Sequence, residues 1–337
     1  MDLIEPDLKF SPSGMVTPPD WGLILAEGPD VGTFLQGQLT NDVLLLPVGQ
    51  ARFSGYCSAK GRLMASFIVQ KFSNEKYLLI CHKDLLQVIV KRLSMFVMRA
   101  KVKLTDATSL YEMRGFLGAT ADLACPDLKA EGPWRAIFEG ETGFIKLYSA
   151  QSAQASTTRL LWLGLKDSLV AQSFLNNNFD SGSATATATA TVNDWQLAEV
   201  LSGVSMVQTA SSEAFVPQML NYESVEGVSF KKGCYPGQEV VARSQFRGTL
   251  KRRAYIVSSQ EVLQVGQEVF AADDAEQACG SVASAAKFDL AAGQSMDSYW
   301  GIVSMQVGAT DKSLHLGNAN GPVLRVLALP YPLLEDI

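Results

Sequence analysis

Between Trp21 and Leu104 the apolar residues come in short runs separated by turn signals, and their order leaves few folds open. Trp21 to Ala26, WGLILA, reads as a strand, and Gly28-Pro29-Asp30 behind it suits a helix start. Phe34, Leu35, Gln38 and Leu39 give a short helix that ends near Thr40-Asn41-Asp42. Arg52 to Lys71 reads as a hairpin turning at Ala59-Lys60-Gly61, and a third strand follows at Lys76 to His82. Asp84 is placed to cap a helix whose buried face carries Leu85, Leu86, Ile89, Val90 and Leu93; Lys101 to Leu104 returns to strand. This β-β-β-α-β order predicts an α+β fold, a sheet with helices on one face as in ferredoxin-like units.

Further strands are expected at Tyr111 to Gly118 and Thr158 to Leu165, with a helix over Asp167 to Asn176. Ser181 to Thr191, SGSATATATAT, lacks large apolar residues, so 181–191 is expected to be a flexible low-complexity loop. Asn193 to Gly203 carries a helix start at Asn or Asp and a glycine stop, with Trp195, Ala198 and Leu201 or Ser202 on one face. Beyond Arg253, apolar runs at Ala254–Val257, Glu268–Phe270, Ser298–Val307 and Val323–Ala328 alternate with Gly and polar turns. That is the pattern of a small antiparallel barrel or sandwich.

A chain of 337 residues is long enough for two or three cores. Its net charge of −6 argues against wholesale nucleic-acid binding. No apolar run reaches the ~18 residues of a membrane span, and the acidic start MDLIEPDLKF lacks the order of a signal peptide, so a cytoplasmic location is expected. Five scattered cysteines without a CxxC give neither a disulfide framework nor a zinc site. His82 and His315 stand far apart, neither with a second ligand at metal spacing, so no metal is expected.

The chemistry concentrates in Lys231 to Arg253, KKGCYPGQEVVARSQFRGTLKRR. Seven Lys/Arg stand there against Glu239 alone, about +6 of local charge. Cys234 sits in a turn beside Lys231 and Lys232, where positive charge favours the thiolate. Gly233 and Gly237 allow unusual backbone angles, and Pro236 stiffens the turn between them. The plain alternative is a buried structural cysteine. Arg243, Arg247, Lys251, Arg252 and Arg253 continue the charge, either as a solvated face or as an anion site, without the aromatic interleaving of direct RNA readout. Trp21 and Trp195 each read as core packing or as a wall for a flat ligand.

Lys232-Gly233-Cys234-Tyr235-Pro236-Gly237-Gln238-Glu239 resembles the K-G-C-Y-x-G-Q-E signature of the YgfZ family, folate-binding relatives of the glycine-cleavage T-protein. The resemblance extends through Pro217-Gln218, Asn221, Gly227 and Ser229-Phe230-Lys231 upstream, and Val241-Ala242-Arg243 and Arg247-Gly248 downstream. Near the N-terminus it takes in Trp21, Phe34 to Gln38, Thr40-Asn41-Asp42 and Ala59 to Arg62. It implies a three-domain T-protein-like fold around a central opening. One unit would be built from 15–50 with 105–245, a second inserted at 51–104, and a barrel over 246–337. It further implies tetrahydrofolate as cofactor near Trp21 and Trp195, with Cys234 as the reactive thiol. By the same resemblance the chain supports iron–sulfur proteins or their assembly factors and iron–sulfur-dependent tRNA modification. A monomer is expected, without membrane or sequence-specific nucleic-acid binding. The alternative is a folate-dependent aminomethyltransferase.

Two positions depart from T-proteins. The Glu expected in the helix after the second tryptophan falls at Leu201, with Glu199 two residues earlier on a different face. The catalytic Asp expected after the hairpin falls at Ala65-Ser66. Cys57 is the nearest alternative thiol should its turn face the same opening.

Overall fold

The computed structural model describes residues 10–152, 155–179, 189–246, 250–288 and 299–334. The hairpin of Ala51–Cys57 and Leu63–Ser73 forms one side of a five-stranded sheet. Lys76–His82, Trp21–Glu27 and Lys103–Asp106 complete it in that order, every neighbour antiparallel. Residues 63–71 are buried without alternation, because both faces of this strand are covered. Leu86, Ile89 and Leu93 of the helix Leu86–Val97 are buried where it packs across the edge strand Lys103–Asp106 and its neighbour Trp21–Glu27.

This pairing corrects the expected division into a 15–50/105–245 unit and an inserted 51–104 unit. Trp21–Glu27 is hydrogen-bonded between Lys76–His82 and Lys103–Asp106, so it belongs to the sheet built from residues 51–106. Strand pairing is a non-local choice that periodicity along one segment does not encode.

A second five-stranded antiparallel sheet has the order Gly14–Val16, Tyr111–Leu117, Arg159–Leu165, Thr142–Lys146, Ala136–Glu139. Trp162 of this sheet stacks on Phe174 of the helix Leu169–Phe179, ring centres 5.0 Å apart. The C-terminal barrel is present and closed. Its six antiparallel strands run Arg252–Ser259, Tyr299–Gln306, Gly280–Lys287, Glu268–Ala271, Leu314–Leu316 and Val323–Leu327 around the wall. Gly280–Lys287 escaped the sequence reading because its Ala and Ser residues carry little apolar weight. Small side chains suit it, since the helix Val192–Leu201 packs against this strand.

That helix starts one residue earlier than the sequence signal. Thr191 accepts from the Asp194 N–H at 3.0 Å, and Asp194 Oδ2 accepts from the Thr191 N–H at 2.8 Å, closing a capping box. Thr189 forms a parallel bridge with Met15, so the end of the expected loop is pinned to the second sheet. Residues 181–188 lie outside the described residues. Gln238–Phe246, directly after the signature turn, is a helix. Among the described residues no helix is long and apolar enough to cross a membrane.

Candidate functional site

The helix Val192–Leu201 stands where the two sheets and the barrel meet, and it carries the polar groups of the site. Trp195 is seated over Gly115 of the second sheet, where a Cβ would lie 2.4 Å from the indole. Glycine is what admits the ring. Its other neighbour is Trp21, met edge to face with ring centres 5.7 Å apart. The Trp195 Nε1–H donates to Glu199 Oε1 at 3.1 Å, one turn along the helix. The buried Arg159 guanidinium lies over the Trp195 face at 4.8 Å and stands 3.7 Å from the same carboxylate oxygen.

Glu199 opens onto a cleft of about 210 Å³ walled by Asp20, Trp21, His82, Gln196 and Met206, with Ser284 and Ala285 contributed by the barrel. A void of about 20 Å³ shares Trp21, Glu199 and Met206 with it. Burial pushes the Glu199 carboxyl up to about 7, against the pull of Arg159 and with Asp20 pushing the same way. Burial also brings Arg159 down to about 10, opposed by Glu199. A larger hollow of about 530 Å³ on the barrel, between Gln260, Glu261 and Arg325, contains none of the residues the sequence singled out.

The two tryptophans therefore play different parts. Trp21 lines both cavities, whereas Trp195, 1% exposed, lines neither and holds Glu199 from behind. Leu201 is fully buried core, and the carboxylate this helix presents to the cleft is that of Glu199. The i, i+4 spacing of Trp195 and Glu199 was the signal that could have found it.

The signature turn is a separate place, and none of the described residues of 231–253 lines either cavity. Cys234 is exposed. Lys232 points inward, donating to the Gln36 carbonyl and, at 2.6 Å, to that of Leu39, with its ammonium over the Tyr235 ring at 4.8 Å. Burial lowers the Lys232 pKa to about 8, while Asp42 and Cys234 act in the opposite sense. Gly237 adopts φ +79°, and a Cβ there would lie 2.4 Å from the Ser58 carbonyl oxygen and 2.6 Å from Gly61. The signature turn and the Ala59-Lys60-Gly61 hairpin turn thus pack backbone to backbone. Gln238 and Glu239 open the following helix, with Arg243 exposed upon it.

The upstream motif residues hold this arrangement together. Thr40 Oγ1 donates to the Gly227 carbonyl at 2.7 Å, and the Asn41 amide to that of Phe53 at 2.8 Å. The Gln218 amide donates to the Val241 carbonyl at 2.8 Å, and Asn221 pairs with both backbone groups of Ala254 at the start of the barrel. The positive run is not one field. Arg253 is buried in an ion pair with Glu223, Lys232 is buried, and Arg247 lies outside the described residues. Cys57 is buried and its thiol is pushed up to about 12, which removes it as an alternative nucleophile. Ser66 accepts from the Val207 N–H at 2.8 Å, so the position corresponding to the T-protein Asp is occupied by a buried hydroxyl in a structural bond. Among the described residues no group of three or more His, Cys, Asp or Glu is arranged for a metal.

Comparison with known proteins adds family to this geometry. No family model matches the chain. The chain is 31% identical over 249 residues to the tRNA-modifying protein YgfZ of Vibrio atlanticus, covering 73% of this chain and 70% of that one. With the protein of the same name from Photobacterium profundum it shares 29% over 273 residues, 81% of this chain and 77% of that one. With that of Serratia proteamaculans it shares 26% over 336 residues, 96% and 94% of the two chains. In fold it is similar to the glycine cleavage system aminomethyltransferase T of Bartonella henselae, with a TM-score of 0.65 at 14% identity over 97% of this chain and 88% of that one.

Proposed function

Because the chain belongs to the YgfZ family, we propose that it is a tRNA-modification factor whose folate-type ligand occupies the cleft between Trp21 and Glu199. The observation that carries this reading is Glu199, a partly open carboxylate set between a tryptophan wall and a buried arginine. Flat, partly apolar rings gain from burial against indole, and a nearby carboxylate fixes the edge of such a ring by accepting its N–H groups. The donor set fits a folate headgroup. Trp21 supplies the face, Glu199 the edge contact, and Trp195 with Arg159 keeps Glu199 in place. At about 210 Å³ the cleft is smaller than the ~300–1,000 Å³ of sites that enclose a whole drug-sized ligand, so it takes the ring and leaves a tail outside.

Cys234 serves a different step. Exposed on a turn clamped by Lys232 and Gly237, it is the thiol a partner surface reaches first. Its expected partners are iron–sulfur enzymes of tRNA modification or the factors that assemble their clusters. A single thiolate does not hold a cluster alone, so further ligands come from the partner. Titration with tetrahydrofolate, read by tryptophan fluorescence, tests the cleft. Binding by the wild type and its loss in Glu199→Gln are expected; equal binding by both overturns the assignment. For the thiol, iron–sulfur-dependent tRNA modification is measured by mass spectrometry in cells lacking the protein. Full rescue by Cys234→Ser removes Cys234 from the function.

A further inference from the structure

In sequence His82 is an isolated histidine, and the proposed function makes no use of it. In the fold it lies directly across from Trp21 in the antiparallel pair of Lys76–His82 with Trp21–Glu27. Directly opposed residues of such a pair put their side chains on the same face, so the imidazole joins Trp21 in the wall of the cleft. Nδ1 is hydrogen-bonded to Asp84 Oδ1 at 2.6 Å. Asp84 Oδ2 in turn accepts from the Thr209 N–H at 2.9 Å, so both carboxylate oxygens are fixed. Burial raises the Asp84 pKa, but the Thr209 N–H and His82 outweigh it and hold the carboxyl below its usual range. An ionised carboxylate on Nδ1 selects the tautomer that carries its proton there and leaves Nε2 as an acceptor. Nε2 has no hydrogen-bond partner among the described residues.

We propose that His82, oriented by Asp84, is a second ligand-contacting group of the cleft and accepts an N–H from the edge of the ring held against Trp21. This rests on the folate reading above. The ligand class it selects is a flat nitrogen heterocycle with at least two N–H donors, one met by Glu199 and one by His82. The charged groups that touch the imidazole or share its cleft are Asp84 in the turn behind the strand, Asp20 beside Trp21 and Glu199 on the helix. The barrel strand facing the cleft contributes Ser284 and Ala285 and no charge.

The test is a tetrahydrofolate titration of the full chain at about pH 8, paired with nitrogen NMR of the imidazole with and without ligand. His315→Gln removes the other histidine signal. Wild type is expected to bind and to shift its Nε2 resonance on binding. His82→Gln is expected to bind about tenfold more weakly. Asp84→Asn is expected to weaken binding and release the tautomer. A structural role alone would lower affinity and leave the wild-type Nε2 resonance unmoved by ligand, which overturns the proposal. So does His82→Gln with wild-type affinity, and so does a ligand-free imidazole that carries its proton mainly on Nε2. Wild type that binds no tetrahydrofolate fails the folate reading instead, and the ligand named here falls with it; the NMR arm still decides the tautomer.

Discussion

The signature turn and the cleft differ in how much of their polar chemistry is already satisfied inside the protein. In the turn, Lys232 is bonded to two carbonyls, Tyr235 is buried beneath it and Gly237 is pressed on the hairpin turn, while the Cys234 thiol stays outside. In the cleft, Glu199, His82 Nε2 and Asp20 retain capacity for further bonds around an aromatic wall. Buried polar groups normally find partners, so those that keep capacity in a concave site mark where a ligand belongs. The difference teaches that the most recognisable motif of the chain is mainly a clamp, and that the less recognisable residues make the binding surface.

The strongest way to break this contrast lies beside the clamp. Arg253→Met leaves Glu223 buried and uncompensated, with an expected loss of about 3–5 kcal/mol in urea unfolding. A loss below about 1 kcal/mol would show that the pair is not what fixes the barrel to the motif. Gly115→Ala drives a methyl into the Trp195 ring, which is expected to cost about 1–3 kcal/mol and to abolish ligand binding by displacing Glu199. Unchanged fluorescence and affinity would uncouple Trp195 from the site.

Glu199 sharpens the comparison through pH. Its folded pKa of about 7 lies above the unfolded value of 4.5, so its contribution to stability is complete below 4.5 and is lost as pH rises through about 7. Glu199→Gln should flatten that limb of a thermal-unfolding pH profile; an unchanged limb would assign it elsewhere. The smallest expected effect belongs to Cys234→Ser, within about 0.5 kcal/mol of wild type because the side chain is exposed. Maleimide should label the folded wild type once per chain and the Cys234→Ser variant not at all, since the thiols of Cys57 and Cys81 are pushed up to about 12 by burial and Cys125 and Cys279 are also buried. Labelling of a second cysteine would refute the burial argument.

Much of the fold was legible because its signals are local. The hairpin at Ala59-Lys60-Gly61, the helix Leu86–Val97, which Asp84 precedes without capping it, and the barrel strands Arg252–Ser259 and Tyr299–Gln306 follow apolar runs and turn residues. The strands Thr142–Lys146 and Gly280–Lys287 did not stand out, one being short and the other built from small residues that make room for a helix. Of the site, Trp21 and Cys234 were visible as an aromatic at a strand start and a thiol in a charged turn. Glu199 is visible two residues before Leu201 and one helical turn after Trp195, but its place in the cleft depends on segments distant in sequence. His82 carried no signal, since its partners Asp84, Thr209 and Trp21 come from three segments.

The sequence by itself determined the element types, the turn at Gly237 that only a residue tolerant of positive φ adopts, and the family through the signature around Cys234. It also placed Trp195 and Glu199 one helical turn apart. Tertiary structure decided which charges of Lys231–Arg253 face water, because burial of Lys232 and Arg253 depends on carbonyls and a carboxylate from distant segments. It likewise decided the pairing of Trp21–Glu27 and the meeting of Trp21, His82 and Glu199 in one cleft. Local propensity acts within a few residues, whereas a site is made by contacts between segments, and those exist only once the sheets, the helix and the barrel have packed.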